Sequence, residues 1–165
     1  PDSENCLKRQ VLMAEKTGKP DSINMASLPD LIGYNLRCAQ VAVFQHFSQT
    51  IGEIEISPPQ YGALVLIDAN PGISQSAIAS ALRFDRSTLV QIIDRLEDRK
   101  LVVREVSATD RRSHALKLTE LGHTLLAELN VLVNMHEQHM TRDLSVDERH
   151  TLMELLARVY KKAED

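Results

Sequence analysis

Residues 74–119 read SQSAIASALRFDRSTLVQIIDRLEDRKLVVREVSATDRRSHALKLT, and the fold turns on how the apolar spacing changes along them. Leu89, Ile92, Ile93 and Leu96 recur at i, i+3, i+4 and i+7, the buried stripe of one helix. Asp85 stands just ahead, where a carboxylate can accept from the free N–H groups of a first turn. At 100° per residue, Ser87 and Gln91 fall almost opposite the stripe, flanked by Thr88, Val90, Asp94 and Arg95. A small, polar face on an anchored helix suits base edges in a major groove; the plain alternative is the solvated side of an ordinary helix. A shorter helix precedes it, capped by Ser74 and anchored by Ile78 and Leu82. Gln75 and Ser76 lie in its first turn, where backbone N–H groups can meet a phosphate. After Lys100 the period becomes that of a strand. Leu101, Val102 and Val103 begin a run to Val106, and Ala115, Leu116, Lys117 and Leu118 make a return strand. The polar, basic segment 107–114 between them is a hairpin tip placed to touch phosphate, or else a charged surface turn. Two helices followed at once by a two-stranded hairpin make a winged helix-turn-helix.

Working outward, residues 28–53 read as one long helix with Pro29 in its first turn. Leu36, Ala39, Val43 and Phe47 form one stripe, and Leu31, Ile32 and Phe44 widen it, so more than one packing partner is expected. Ser57 with Gln60 is a capping box, with Pro58 at the first helical position. It opens a helix through Tyr61, Leu64, Val65 and Leu66 that ends at Asn70-Pro71-Gly72. Beyond the hairpin a helix from Thr119 to about Thr141 carries Leu121, Leu125, Leu129 and Leu132. Ser145 with Glu148 is a second capping box, opening a helix with Leu152, Leu155, Leu156 and Val159. Neither helix has a partner inside a small winged-helix unit, so both are expected to pack with the first helix and with a second copy of the chain. The expected organisation is an N-terminal arm (1–27), a dimerisation helix (28–56), the winged helix-turn-helix (57–118) and C-terminal dimerisation helices (119–165). The fold class is mainly α with a small β-hairpin wing.

The composition fits this. The chain has 165 residues, 43% hydrophobic but only 4% aromatic and without Trp, so the core must be aliphatic. No apolar run approaches the ~20 residues of a membrane span and no signal-peptide pattern opens the chain; a cytoplasmic protein without membrane contact is expected. The net charge is −4, yet between 83 and 117 nine Lys/Arg face six Asp/Glu. A locally basic segment in an acidic chain can bind phosphate on one face and repel it elsewhere. Cys6 and Cys38 provide neither metal spacing nor a disulfide framework. No catalytic triad, paired carboxylates or Gly-rich phosphate loop is present, so neither an enzyme nor a cofactor is expected.

Asp110-x-Arg112-x5-Leu118-Thr119 matches the DxRxxxxxLT signature of the MarR family of bacterial transcriptional regulators. Asp94-Arg95-Leu96-Glu97 matches the family's recognition-helix ending, and Gly122 also fits. The chain resembles this family over residues 28–160. The resemblance implies a homodimer that sets its recognition helices in successive major grooves of operator DNA and its wings in adjacent minor grooves. On this sequence, Ser87, Thr88 and Gln91 are then base-edge candidates and Val90 a thymine-methyl contact. Arg111 or Arg112 is the minor-groove candidate, with Asp110 orienting one of them. Ser74, Gln75 and Arg86 are phosphate candidates, and Arg95 divides between a structural and a DNA role.

Many members bind small anionic aromatic compounds between the dimerisation helices and the winged helix. Tyr34, Arg37, Phe44, His46 and Tyr61 are the candidates for such a cleft, each with a plain alternative as core or surface. Residues 30–37 are similar to the first helix of members controlling aromatic-acid degradation, some of which sense hydroxycinnamoyl-CoA thioesters. The expected function is therefore a repressor released by a small aromatic or aromatic acyl-CoA ligand. Cys38 lies where a peroxide-sensing branch keeps its reactive cysteine, but that branch's aromatic motif is missing, and a buried structural cysteine is expected. A redox sensor using Cys38 and a winged-helix protein-binding module are the alternatives. His136 and His139 share a helix face; solvated or interface histidines are expected there rather than a metal site.

Overall fold

The computed structural model describes residues 23–106 and 114–161. The chain divides into two compact units between residues 38 and 39, each taken by itself. In the first, Leu28–Asp30 form a 3-10 turn and Leu31 is extended, with φ −88° and ψ 127°. Helix α1, Ile32–Ile51, starts only after this break and continues into the second unit. The single helix expected from Leu28 is thus interrupted. The Asn35 amide donates to the carbonyls of Pro29 and Leu31, at 2.8 and 2.9 Å, so at Pro29 a side chain satisfies what an unbroken helix satisfies through its backbone. Cys38 is exposed, not buried as expected: it sits one turn after the half-buried Tyr34 on the same face of α1.

The second unit holds the remaining elements. α1 ends in a 3-10 turn, Gly52–Ile54, and Glu55 is left-handed at φ 55°. Helix α2, Pro58–Ala69, is opened by the expected capping box: Gln60 Oε1 accepts from Ser57 N at 2.8 Å and Gln60 N donates to Ser57 Oγ at 3.4 Å. Strand β1, Ile73–Ser74, precedes α3, Gln75–Leu82. Helix α4 spans Arg86–Asp98, strands β2 and β3 span Val102–Val106 and His114–Leu118, and helices α5 and α6 span Glu120–Met140 and Val146–Lys161. The second capping box forms as read: Glu148 Oε2 accepts from Ser145 N at 2.8 Å and Glu148 N donates to Ser145 Oγ at 3.2 Å.

The sheet has three strands in the order β1-β3-β2, all antiparallel. The hairpin register pairs Val102 with Leu118 and Arg104 with Leu116. The sequence reading missed β1. It pairs Ile73 with Leu116, and Gly72 N donates to Leu116 O at 2.8 Å, so the wing is tied back to the segment that opens α3.

The core is aliphatic apart from Phe47. Leu64 and Ile67 from α2, Ile78 from α3, Leu89, Ile93 and Leu96 from α4, Val102 and Leu116 from the sheet and Leu129 from α5 are fully enclosed. Burying each such side chain contributes about 1.5–3 kcal/mol, and this common core fixes the orientation of α4. On α5 the buried positions are Gly122, Leu126, Leu129 and His136, whereas Leu121 is exposed. Leu129 is buried as read and Leu125 and Leu132 pack partly against the core, so the leucine spacing fails only at Leu121, while Gly122, Leu126 and His136 complete the buried face. No residue of α6 is buried within the single chain, and Leu152, Leu155 and Val159 are exposed. Among the described residues no helix is long and apolar enough to cross a membrane.

Candidate nucleic-acid interface

The turn between α3 and α4 is closed by backbone geometry. Arg83 is left-handed at φ 57°, and Phe84 N donates to Ala79 O at 3.0 Å, a helix ending of the type usually given to glycine. Asp85 then caps α4 as the sequence predicts, accepting from Thr88 N at 2.8 Å. Its carboxylate also accepts the hydroxyl protons of Ser87 and Thr88, the latter at 2.6 Å. These bonds hold the Asp85 carboxyl well below the usual carboxylate range, the Ser87 hydroxyl first, then the Thr88 hydroxyl and the Thr88 N–H. With their protons engaged, Ser87 and Thr88 present lone pairs. In this arrangement the two hydroxyl oxygens can accept a further hydrogen bond but have no proton free to donate.

The stripe of α4 is buried as read: Leu89, Ile93 and Leu96 are enclosed and Ile92 packs against them. Ser87, Gln91 and Arg95 are exposed on the helix, Val90 is 40% exposed beside them, and Arg86 is exposed in the first turn. Ser74 caps α3, accepting from Ala77 N at 3.2 Å, so its oxygen is occupied at the N-terminus where a phosphate was anticipated. Gln75, the other phosphate candidate there, points to the wing. Its amide oxygen accepts from Arg104 Nε at 2.8 Å and Nη2 at 3.1 Å.

Arg104 is the residue that the sequence reading missed. It lies on β2, only 19% exposed in its side chain, and its guanidinium pairs with Asp94 and Glu97 of α4 as well as with Gln75 of α3. One cation joins the wing to both helices of the helix-turn-helix and neutralises two carboxylates on the recognition helix. The recurrence of Asp94 and Glu97 at i and i+3 was the available signal. A second joint lies at the end of α4. Lys100 N donates to Glu97 O at 2.7 Å and Leu101 N to Leu96 O at 2.9 Å. Thr119 caps α5, donates its hydroxyl to Lys100 O at 2.7 Å and its N–H to Leu101 O at 3.0 Å. The Thr119 and Gly122 of the family signature thus join the recognition helix, the wing and α5. Asp110, Arg111 and Arg112 lie outside the described residues.

The ligand candidates separate. Tyr34 and Arg37 belong to the first unit, where the Tyr34 hydroxyl is raised above its ordinary pKa first by its hydrogen bond with Cys38. In the second unit Phe44 is 40% exposed. His46 is half-buried, next to Phe47 in the chain. Tyr61 stands 6.1 Å from the Phe47 ring and donates its hydroxyl to Asn130 Oδ1 at 2.9 Å. Burial, then the charge of Glu137, raises the Tyr61 pKa. His46 Nδ1 lies 2.7 Å from His136 Nδ1. His136, His139 and Asn130, all on α5, therefore join a group for which sequence reading proposed only His46 and Tyr61. Among the described residues no three His, Cys, Asp or Glu side chains are placed to hold a metal ion.

Known proteins share the fold. Residues 54–113 match the MarR family. A Thauera aromatica protein described as a transcriptional regulatory protein for the hcr operon is 39% identical over 91% of this chain and 94% of its own length. The transcriptional repressor CouR, bound to a 23-mer DNA duplex, is 40% identical over 85% of this chain and 99% of its own, with a TM-score of 0.79. CouR bound to p-coumaroyl-CoA aligns with a TM-score of 0.78 at 38% identity, covering 84% of this chain and 98% of its own. The PcaV regulator of Streptomyces coelicolor, in complex with its natural ligand, is 28% identical over 86% of this chain and 99% of its own, with a TM-score of 0.79. With its winged helix-turn-helix, its wing-to-α5 joint and a relative this similar along nearly its whole length, the chain belongs to the MarR family of transcriptional regulators.

Proposed function

We propose that this chain is a homodimeric, sequence-specific transcriptional repressor of the cytoplasm, released from its operator by a small aromatic or aromatic acyl-CoA ligand. The observation that carries the reading is the recognition helix. It is fixed by Leu89, Ile93 and Leu96, capped by Asp85, and turns Ser87, Val90, Gln91 and Arg95 outward. The face is polar and free of a large apolar patch, which favours DNA over a protein partner. Ser87, Thr88, Val90 and Gln91 meet base edges, Arg86 and Arg95 meet phosphates, and Arg111 or Arg112, set by Asp110, enters the minor groove. Ser74 and Gln75 contribute mainly through the α3 N-terminus they shape.

The ligand half of the proposal rests on CouR and PcaV, which are known with p-coumaroyl-CoA and with a natural ligand. The exposed apolar side chains of α6 are the surface a second copy would cover. A ligand acts here only through its differential affinity for the DNA-competent and incompetent dimers. The test is fluorescence anisotropy on DNA from beside the protein's own gene, against random DNA, with and without aromatic acids and their CoA thioesters. Specific binding that one compound abolishes supports the whole reading. Specific binding indifferent to every compound removes the ligand half, and no preference for that DNA removes it as the operator.

The exposure of Cys38 favours a second reading, in which its oxidation releases DNA. Reversible loss of binding on oxidation, abolished by Cys38→Ser, distinguishes it.

A further inference from the structure

Three imidazoles meet between the second-unit part of α1 and α5. His136 is 1% exposed, and its Nδ1 lies 2.7 Å from His46 Nδ1. The His139 ring lies parallel to His46, with centroids 4.1 Å apart and planes at 10°. His46 and His136 are 5.0 Å apart at 25°, and Phe47 sets its ring against His136 at 5.6 Å. A hydrogen bond between two Nδ1 atoms needs one N–H and one lone pair, so the pair holds a single proton at that contact. A first added proton is tolerated, since an imidazolium on one ring can donate to the neutral other. A second on the same pair sets donor against donor and like charge against like charge beside the buried His136, while His46 is half-buried and His139 exposed.

The groups facing the cluster favour that limit. From α5, Glu137 lies 3.9 Å from His136 Nε2. From α1, the Thr50 hydroxyl is 3.3 Å from His46 Nδ1. From α2, Tyr61 packs on the Phe47 ring that also meets His136, and its proton is directed to Asn130. One exposed carboxylate thus stands against three imidazoles. Burial pushes His136 below the usual histidine range; Glu137 opposes this, and His46 and His139 reinforce it.

We propose that His46, His136 and His139 form a proton-sensitive seam between α1 and α5, closed while the His46–His136 pair holds at most one added proton and opened when that pair takes a second, with loss of operator binding. The seam reaches the DNA-reading elements through α5, whose first turn is fastened to the wing by Thr119 and Leu101. This rests on the reading that the chain binds an operator. It sets a direction opposite to the ordinary one: surface histidines that gain charge near DNA tighten binding in acid, whereas this seam weakens it.

The test uses the full chain and two readouts. Proton NMR of the imidazole Cε1–H signals between pH 5 and 8 should show coupled titrations, with the last protonation of the cluster displaced to acid. Three independent titrations in the ordinary histidine range would overturn the seam whether or not DNA binds. Anisotropy on the operator should show affinity falling at least tenfold from pH 7.5 to pH 5.5, and His46→Phe should flatten that fall. If His46→Phe does not fold, His139→Gln, which removes one positive charge and keeps the Nδ1 pair, should move the fall to lower pH. Affinity that is level or rises toward acid, or a fall unchanged in the variants, overturns the proposal. Absence of specific binding at pH 7.5 overturns the operator reading and with it the DNA consequence, while the titrations still decide the seam.

Discussion

Asp94 on the recognition helix and Arg104 on the first wing strand form an ion pair, and Glu97, one turn further along the helix, takes the same guanidinium. An exposed surface pair contributes little, but here the cation is mostly covered and Gln75 supports it from a third element. Replacing Arg104 by Ala should therefore weaken operator binding by roughly tenfold or more, since it loosens the wing and leaves two carboxylates beside DNA phosphates. Adding Asp94→Asn and Glu97→Gln to Arg104→Ala should restore binding to random DNA but not discrimination for the operator. Anisotropy on both DNAs checks this, and full recovery of discrimination would reduce Arg104 to a neutraliser of charge.

Gln91 is the exposed amide at the centre of the recognition face. Gln91→Ala should cost about 1–3 kcal/mol on the operator, the value of a bidentate base contact, and much less on random DNA. Equal losses on both would mean that Gln91 does not read sequence. Arg95→Ala should instead weaken both DNAs alike and reduce the slope of log affinity against log salt by about one, as for a phosphate contact.

Asp85 carries a pH prediction. Its carboxyl is held below the ordinary range by Ser87 and Thr88, so the unfolded chain takes up its proton first as pH falls. The stabilisation is fully present above the unfolded value of about 3.9 and is lost as pH falls through the lower folded value. Asp85→Asn keeps an oxygen for Thr88 N–H but cannot titrate. Its stability should fall less steeply than that of the wild type below about pH 4, measured by denaturant unfolding at stepped pH. Equal slopes would mean that the Ser87 and Thr88 hydroxyls do not hold the carboxylate in solution.

How much of this was legible depended on the range of the interaction. The Asp85 cap, the Ser57 and Ser145 boxes and the Leu89–Leu96 stripe are decided within a turn or two of helix, and sequence spacing reads them directly. β1 was not legible because Ile73 and Ser74 are a strand only through their pairing with β3. The Arg104 cluster needed the β2 register relative to α4. His46 and His136 are 90 residues apart, and no local pattern announces their contact. Just ahead of α1, a continuous apolar pattern hid the break at Leu31, because periodicity reports which face is apolar and not whether the backbone is unbroken. The exposure of Cys38 was hidden because a missing sensor motif argues against reactivity but says nothing about which side of the helix faces solvent.

The joint between α4, the wing and α5 contrasts two backbone demands. Lys100 is left-handed at φ 59°, and the two hydrogen bonds around it form the helix ending in which glycine is commonest. Lys100→Gly removes the steric cost of a Cβ there but adds freedom to the unfolded chain. The balance should stabilise the protein by on the order of 0.5–1 kcal/mol. Gly122 has the reverse problem. A Cβ on it would lie 2.1 Å from the Leu101 carbonyl oxygen, and that oxygen cannot retreat without breaking its bond from Thr119 N–H. Gly122→Ala should therefore destabilise by about 1–3 kcal/mol or more, the range for overpacking a fixed site, although alanine is the better helix former. Denaturant unfolding of the two variants tests the joint from both sides. A stabilising Gly122→Ala would mean that α5 can slide away from Leu101. The wing would then be held to the recognition helix by Arg104 and the sheet, without the Thr119 fastening.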